Sequence, residues 1–368
     1  MQAKPIAMPN NKPDIREASP DEISSFIAAS GEKAFRANQL YEWLWVKGAR
    51  SFDEMSSLPK TFRDTLQEHF EFRSLQTEIE QQSRDKTVKS AFRLSDGHLV
   101  EGVLIPSPDR VTACISTQVG CAMNCGFCAT GAMGFTRNLS AGEIFDQFSI
   151  LNRRSIDFFG IPLSNLVVMG MGEPFLNFDN LMAAMGHICD PKGINLSPTR
   201  ITVSTIGIAE GIRAFADAGT KINLSISLHT ASENLRTDMM PASKKHNMSR
   251  LRDAIRYYHS KTGMRITYEY ILFGGLNDSP EHAQALAEFC KISPCKINII
   301  EYNSTGNKRF TFSPVENRDA FVAFLETKNL IVNIRRSKGR DIDAACGQLA
   351  GNTPRLLTLT RKPRQSEE

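Results

Sequence analysis

The sequence lacks any apolar run as long as the roughly 18–20 residues that a membrane-crossing helix requires. Residues 1–22 are polar and proline-rich, so they also lack the apolar core of a secretory signal. Cysteine is too sparse for a disulfide scaffold, and glycine and proline are too few for collagen or for a mostly disordered chain. We therefore expect a soluble cytoplasmic protein without a membrane partner, with reduced thiols as its default state.

An excess of charge of one sign is also absent, because 44 Lys and Arg oppose 40 Asp and Glu among the 368 residues. The net charge of +4 does not by itself argue for a nucleic-acid partner. The cations are nevertheless concentrated near the C-terminus, in RRSKGR at 335–340 and at Arg355, Arg361, Lys362 and Arg364. Such a patch can neutralise phosphates, and the alternative is a solvated face followed by a disordered tail.

The length predicts about two domains, at roughly 150 residues each. The first region has a helical pattern, with a helix start at Ser19-Pro20. Alternating apolar runs then flank Asp96-Gly97, a dipeptide typical of a β-hairpin. We predict a helical domain over 1–75, a β extension over 76–106, a core over 107–345 and a C-terminal segment with a basic tail over 346–368.

From about Val111 onward, short apolar runs alternate with helical stretches of 10–15 residues. The predicted strands are 112–117, 165–170, 200–205, 221–227, 265–273, 296–302 and 331–336. Near-continuous apolar strands with helical crossovers indicate a parallel sheet covered by helices. The predicted fold class is therefore α/β, with six or seven units in a partial (β/α)6-type barrel that binds ligands at the carboxyl ends of its strands.

The cysteines Cys121, Cys125 and Cys128 follow the first core strand with the spacing C-x3-C-x2-C. Three thiolates so close together suit a soft metal. A zinc site would need a fourth ligand, such as Cys114, and no second Cys or His pair is visible. Disulfides conflict with a reducing compartment, whereas a [4Fe–4S] cluster with three ligands would keep one iron open.

Small polar groups end several core strands, where parallel strands share one rim. Met171-Gly172-Glu173-Pro174 follows one strand, Ser204 ends the next, Ser227-Leu228-His229 follows another, and Asn303 follows KINIIEY. A lone histidine such as His229 is more often structural, and a strand-to-helix turn would explain Gly172 alone. The convergence of these positions on one rim favours a binding site.

The cysteine spacing resembles that of the radical S-adenosylmethionine superfamily, and MGEP resembles its GGEP-type motif. The resemblance implies a [4Fe–4S] cluster held by Cys121, Cys125 and Cys128, whose open iron binds the methionine end of S-adenosylmethionine. Reductive cleavage of the sulfonium then produces a 5′-deoxyadenosyl radical. By the same resemblance, the residues that contact S-adenosylmethionine are Gly172, Glu173, Ser204, Ser227, Leu228, His229 and Asn303.

Other segments resemble the RlmN/Cfr family of RNA methyltransferases over about residues 20–353. They are FRANQ (35–39), CISTQVGC (114–121), GFTRNLS (134–140), MGMGEP (169–174), ITVSTIGI (201–208) and DIDAACGQL (341–349). The resemblance implies methylation at carbon 2 of an adenosine in the peptidyl-transferase loop of 23S rRNA and of the adenosine beside the tRNA anticodon. It further implies two S-adenosylmethionine molecules per turnover, an RNA-binding role for the helical domain, a flavodoxin or ferredoxin as reductant, and a monomer.

The same resemblance gives reactive roles to three residues. Cys346 would carry the methyl group as S-methylcysteine, and Cys114 would release the product and leave a transient disulfide. Glu101 would accept the proton from carbon 2, although a strand glutamate more often faces solvent. The remaining cysteines, Cys189, Cys290 and Cys295, are assigned to packing.

Two rival functions remain open at this point. The first is methylation at carbon 8 of the same rRNA adenosine, as in Cfr, because the cysteines are shared. The second is a zinc-bearing RNA-binding protein without catalysis.

Overall fold

The structure, a computed structural model, describes residues 12–351. The basic residues Arg355, Arg361, Lys362 and Arg364 lie outside the described residues. Within residues 12–351, no helix is long and apolar enough to span a bilayer.

The strands of the described chain are β1 (Gln76–Gln82), β2 (Val88–Arg93), β3 (Leu99–Ser107), β4 (Arg110–Cys114), β5 (Gln118–Gly120), β6 (Phe135–Asn138), β7 (Asn165–Val168), β8 (Ile201–Thr205), β9 (Asn223–Ser227), β10 (Ile266–Leu272), β11 (Cys295–Glu301) and β12 (Ile331–Arg335). The helices are α1 (Pro20–Ala29), α2 (Arg36–Tyr41), α3 (Lys60–His69), α4 (Ala129–Ala132), α5 (Ala141–Phe159), α6 (Phe178–Cys189), α7 (Ala209–Asp217), α8 (Glu233–Met239), α9 (Met248–Thr262), α10 (Pro280–Cys290) and α11 (Val315–Thr327). Each predicted core strand forms close to its predicted position.

One ten-stranded sheet organises the molecule, in the order β1-β2-β3-β4-β7-β8-β9-β10-β11-β12. Within this sheet, β4 and the strands from β7 to β12 pair in parallel, as the helical crossovers require, while β1 to β4 pair antiparallel. β5 and β6 form a separate antiparallel pair. All residues of β10 are buried, as expected for a central strand covered on both faces. The predicted α/β fold with a partial parallel barrel is confirmed.

The predicted hairpin at Asp96-Gly97 also forms, with Arg93 opposite Leu99. The hairpin is continuous with the core sheet, because β3 pairs with β4. Val103 lies opposite Cys114 at one end of this pairing. The region between the helices and the core is therefore a three-stranded antiparallel extension of the same sheet, formed by β1, β2 and β3.

The helical region begins as the sequence predicts. Ser19 caps α1 in a capping box with Glu22, in which each side chain accepts a hydrogen bond from the backbone of the other residue. Helix α2 continues into a π-helical turn over Glu42–Val46, which buries Trp45. The indole of Trp45 stacks on the imidazole of His187 in α6, with ring centroids 3.6 Å apart, so this region packs directly on the core.

A buried network of ion pairs also holds the helical region against the core. The guanidinium of Arg16 donates to Asp146 of α5 at 2.5 Å and to Asp14 at 3.0 Å. Asp146 also accepts from the backbone N–H of Leu75 at 3.0 Å. Because these charges are removed from water, each depends on its partners for compensation.

We predict that Asp146→Ala lowers the free energy of unfolding by about 3 kcal/mol, because it leaves the buried Arg16 with one carboxylate. Urea denaturation of the full chain, followed by circular dichroism, measures this change. The control is Asp253→Ala, which removes an exposed i,i+3 partner of Arg256 and is expected to leave the midpoint unchanged. Equal midpoints for both variants would contradict a role of the network in docking the helical region.

Candidate active site

A cavity of about 560 Å³ lies inside the curve of the parallel strands. The residues singled out from the sequence that line it are Cys114, Cys121, Cys125, Cys128, Gly172, Glu173, Ser204, Ser227, His229 and Cys346. Strands β4, β7, β8 and β9 thus deliver their carboxyl-terminal residues, or those that follow, to one space. Leu228, Asn303 and Glu101 do not line it.

The three cysteines of the C-x3-C-x2-C motif lie on the loop between β5 and α4 as free thiols. The backbone of Cys121 donates to Gly134 at 2.7 Å, and that of Cys128 donates to Cys125 at 3.1 Å. Gly131 packs so closely that a Cβ there would lie 2.9 Å from the Cys125 nitrogen, which favours glycine. Burial raises the pKa of Cys121 to about 12 and that of Cys125 well above its ordinary value. A bound metal would favour the deprotonated thiolates.

Arg236 supplies a test of whether an anionic group fits beside this loop. Its side chain is 1% exposed, and its Nη2 donates to the carbonyl oxygens of Ile206 and Ser227. Its Nε and Nη1 have no hydrogen-bond partner within the described residues. Burial lowers the pKa of Arg236 to about 10, and a nearby negative charge on Cys125 would raise it. A buried cation with two unpartnered N–H groups beside three thiols suits a cluster that carries net negative charge.

Among residues 12–351, no three His, Cys, Asp or Glu side chains converge tightly enough to hold a single metal ion. A [4Fe–4S] cube binds each ligand through a different iron, so its thiolates need not converge on one point. The cysteine loop and Arg236 therefore fit a cluster.

Glu173 is buried at the end of the segment that follows β7. Its carboxylate accepts from the backbone N–H of Ile206 at 2.9 Å and of Phe175 at 3.1 Å. Burial nevertheless raises its pKa to about 7, because it has no cationic partner within the described residues. A carboxylate so placed suits an ammonium group of a ligand.

Gly172 is required by the same turn. Its φ of +100° is strained for other residues, and a Cβ would lie 2.5 Å from the Cβ of Gln118. Gln118 also fixes the turn from its other side, because its side-chain oxygen accepts from the backbone of Glu173 at 2.8 Å.

The next strands present neutral polar groups. The hydroxyls of Ser204 and Ser227 lie 3.3 Å apart. His229 accepts from the backbone N–H of Ile271 through Nδ1 at 3.1 Å, so Nε2 carries its proton. Burial lowers the pKa of His229 to about 3, which keeps the imidazole neutral at physiological pH.

Cys114 ends β4, and Cys346 lies across the cavity on the C-terminal segment. That segment packs on α4, where Ala129 donates to Gly347 at 2.7 Å and Thr130 donates to Leu349 at 2.5 Å. Burial first and the neighbouring Cys346 second raise the pKa of Cys114 to about 12. With its pKa so raised, the Cys114 thiol keeps its proton at neutral pH. No disulfide is present in the described residues.

Three predicted residues lie outside the cavity lining. Asn303 supports the C-terminal segment, because its amide donates to the carbonyl of Cys346 at 3.3 Å. Glu101 is buried and does not face solvent. One carboxylate oxygen lies 3.4 Å from Nζ of Lys89, and the other accepts a hydrogen bond from the backbone N–H of Ala350 at 2.9 Å. The side chain of Leu228 is buried in the core.

Sequence reasoning missed Glu269 and placed Arg335 in a surface patch. The guanidinium of Arg335 instead lines the cavity, where it pairs with Glu269 at 3.3 Å. Glu269 also accepts from Ser225 at 3.0 Å and from Asn298 at 2.8 Å. β12 reads IVNIR and shows no regular alternation, so its sequence contains no signal that Arg335 faces the cavity.

Comparisons with known proteins agree with this geometry. Residues 115–289 match the family model of the radical SAM superfamily, and residues 14–72 match that of the ribosomal RNA large subunit methyltransferase N-terminal domain. The crystal structure of a radical SAM methyltransferase from Sphaerobacter thermophilus is 38% identical, with a TM-score of 0.87, and covers 92% of this chain and 100% of that chain. The fold and the cavity are thus those of a radical SAM enzyme, a class that uses a [4Fe–4S] cluster and S-adenosylmethionine.

Comparison with curated proteins identifies the family within the radical SAM class. A probable dual-specificity RNA methyltransferase RlmN from Flavobacterium psychrophilum is 46% identical over 92% of this chain and 98% of that protein. Its counterpart from Geobacillus kaustophilus is 43% identical over 92% of both chains. The chain belongs to the RlmN family.

We predict a pH-dependent stability difference between the metal-free wild type and Glu173→Gln. Folding raises the pKa of Glu173 from 4.5 to about 7, so between these values the folded state keeps a proton that the unfolded state loses. The wild type should therefore lose about 3 kcal/mol relative to the variant as pH rises through this window, and nothing further above it. Urea titrations of both proteins at several pH values measure the difference, and a constant difference would contradict the buried, unpaired carboxylate.

Proposed function

We propose that this protein methylates carbon 2 of an adenosine in the peptidyl-transferase loop of 23S rRNA and of the adenosine beside the anticodon in tRNAs. One observation carries the proposal: Cys114 and Cys346 line the same cavity as Cys121, Cys125 and Cys128. The dual-specificity RNA methyltransferase names of the curated relatives support it, and they favour the RlmN reaction at carbon 2 over the Cfr reaction at carbon 8.

The cysteine loop would hold the cluster through Cys121, Cys125 and Cys128, with Arg236 balancing its charge. When bound, the cluster and S-adenosylmethionine supply a carbon radical through reductive cleavage of the sulfonium. Glu173 and the Gly172 backbone would hold the amino group of the methionine moiety. The other proposed contacts to S-adenosylmethionine are Ser204, Ser227, Leu228, His229 and Asn303.

Cys346 would receive a methyl group on Sγ and carry its carbon to the adenine ring, so two S-adenosylmethionine molecules would be used per turnover. The methyl group on Cys346 would lose a hydrogen atom to the 5′-deoxyadenosyl radical, and the resulting carbon radical would add to carbon 2 of the base and join protein to RNA. The adduct would then lose one electron, which the oxidised cluster could take up. Cys114 would release the RNA when its thiolate attacks the sulfur of Cys346, which leaves a transient disulfide between them. Because burial raises the pKa of Cys114, its deprotonation must accompany a change in its surroundings.

Glu101 would accept the proton from carbon 2 of the adenine. The support is its burial and its hydrogen bond from Ala350, four residues beyond Cys346 on the same segment. Reaching the base from outside the cavity lining requires this segment to shift.

The remaining parts of the proposal concern partners. The helical region, residues 1–75, would bind RNA, and a flavodoxin or ferredoxin would supply electrons in the cytoplasm. The protein would act as a monomer.

We predict that Cys114→Ala accumulates RNA bound covalently to Cys346, because the adduct forms but is not released. Denaturing electrophoresis of protein purified from cells, with nuclease digestion and mass spectrometry of the Cys346 peptide, detects it. Cys346→Ala should carry no RNA, and Cys189→Ala should behave as the wild type. Normal turnover without an adduct in Cys114→Ala would contradict the release role.

Nucleoside analysis tests the reaction itself. In rRNA and tRNA from a strain lacking this protein, 2-methyladenosine should be lost from both pools and return with the wild-type gene. Loss of 8-methyladenosine alone would assign the Cfr reaction instead, and no change in either nucleoside would refute methylation.

A further inference from the structure

The side chains that both line the cavity and are exposed to solvent are all cations. Nearly all of its lining is buried or half-buried, and the four lining residues whose side chains are exposed are all basic: Arg110, Arg200, Arg336 and Lys338. We call these four residues the basic mouth. The reactive groups, including Glu173 and the cysteine loop, lie among the buried part of the lining.

The basic mouth is assembled from distant parts of the chain. Arg110 is the first residue of β4, and Arg200 immediately precedes β8, with β7 between these strands. Arg336 and Lys338 stand on the segment that leaves β12 and runs towards the antiparallel extension, where Gly339 donates to Asp85 at 3.0 Å. Arg110 and Arg200 thus stand at the amino ends of their strands, whereas Arg336 and Lys338 stand beyond the carboxyl end of β12, so the four side chains line one cavity from both ends of the parallel strands.

The charges of the basic mouth are not compensated by neighbouring carboxylates. Within residues 12–351, none of the four side chains takes part in an ion pair. The adjacent cations differ in this respect, since Arg335 pairs with Glu269 and Arg340 pairs with Glu301 at 2.7 Å. The only carboxylates in the lining are Glu173 and Glu269, and both are buried.

The wall behind the cysteine loop is closed by apolar packing. Phe127, Phe273 and Phe310 form a buried cluster with Met239 and other side chains, with Phe127 and Phe310 ring centroids 5.8 Å apart. The backbone of Gly126 donates to Met239 at 2.9 Å across this cluster. This apolar cluster offers no charged side chain to a phosphate, in contrast to the basic mouth.

The chemistry of the opening matches a nucleic-acid backbone. A base that reaches a buried reactive sulfur must leave its stack, and the phosphates on either side of it stay outside. Unpaired arginine and lysine side chains bind phosphates and carry most of the salt-dependent affinity.

We infer that the target adenosine reaches the cavity past the basic mouth and that Arg110, Arg200, Arg336 and Lys338 bind phosphates of the RNA strand around it. This inference rests on the proposed function, because it takes RNA as the substrate. It assigns the RNA contact nearest the reaction to the rim of the cavity, separate from any contact made by the helical region.

The test compares two triple variants of the full-length, reconstituted enzyme. Arg110→Ala/Arg200→Ala/Arg336→Ala removes three charges from the mouth. Arg153→Ala/Lys244→Ala/Lys308→Ala removes three exposed charges elsewhere, since these side chains also form no ion pair in the described chain. Lys308 is the most stringent of these controls, because its neighbour Asn307 donates to Gly126 of the cysteine loop at 2.8 Å.

Fluorescence anisotropy of a labelled tRNA anticodon stem-loop, over a range of KCl concentrations, gives Kd and its salt dependence. For the mouth variant, the slope of log Kd against log salt should fall by about 2 to 3, and Kd at low salt should rise by about 10-fold or more. The control variant should retain the wild-type slope. An unchanged slope for the mouth variant, or an equal loss in the control, would overturn the inference.

Failure of this inference is distinguishable from failure of the proposed function. If the wild type forms S-methylcysteine at Cys346 and methylates the stem-loop, the function stands whatever the binding data show. Should the wild type bind RNA through the mouth without methylating Cys346, the entrance would stand and the proposed reaction would fall.

Discussion

Parallel pairing of the core strands is the constraint on which the site depends, because it brings residues distant in sequence to one edge. The register that sets Ser204 opposite Ser225, and Ser227 opposite Glu269, also fixes which hydroxyls and carboxylates enter the cavity. A shift of one residue would turn each of these side chains to the other face of the sheet. The glycine-bearing turn at Gly172 then directs Glu173 into the same space.

The site also buries ionisable groups that have no partner of opposite charge in the described protein. Glu173 has no cationic partner within the described residues, and Arg236 has two N–H groups without hydrogen-bond partners there. Buried thiols at Cys121 and Cys125 resist ionisation for the same reason. In the proposed function, each of these groups would gain its missing partner when an anionic cluster and an ammonium-bearing ligand bind, and folding stability would then be linked to cofactor binding.

Much of this arrangement could be predicted from sequence, and the rest depends on tertiary contacts. Strand positions followed from apolar runs between helical stretches, and the cysteine loop followed from spacing. The inward direction of the Arg335 side chain could not be predicted, because a cation on an edge strand is expected to face solvent. Only the structure shows that Glu269 lies opposite it. Likewise, the burial of Glu101 comes from the antiparallel extension and from Lys89, which no local pattern joins to it.

The most direct test of the central claim is electron paramagnetic resonance of the anaerobically reconstituted, reduced protein. The account predicts a single [4Fe–4S] signal that changes on addition of S-adenosylmethionine, persists in Cys346→Ala and is lost in Cys125→Ala. A protein that holds one zinc ion and no iron, or a cluster signal that S-adenosylmethionine leaves unchanged, would contradict it.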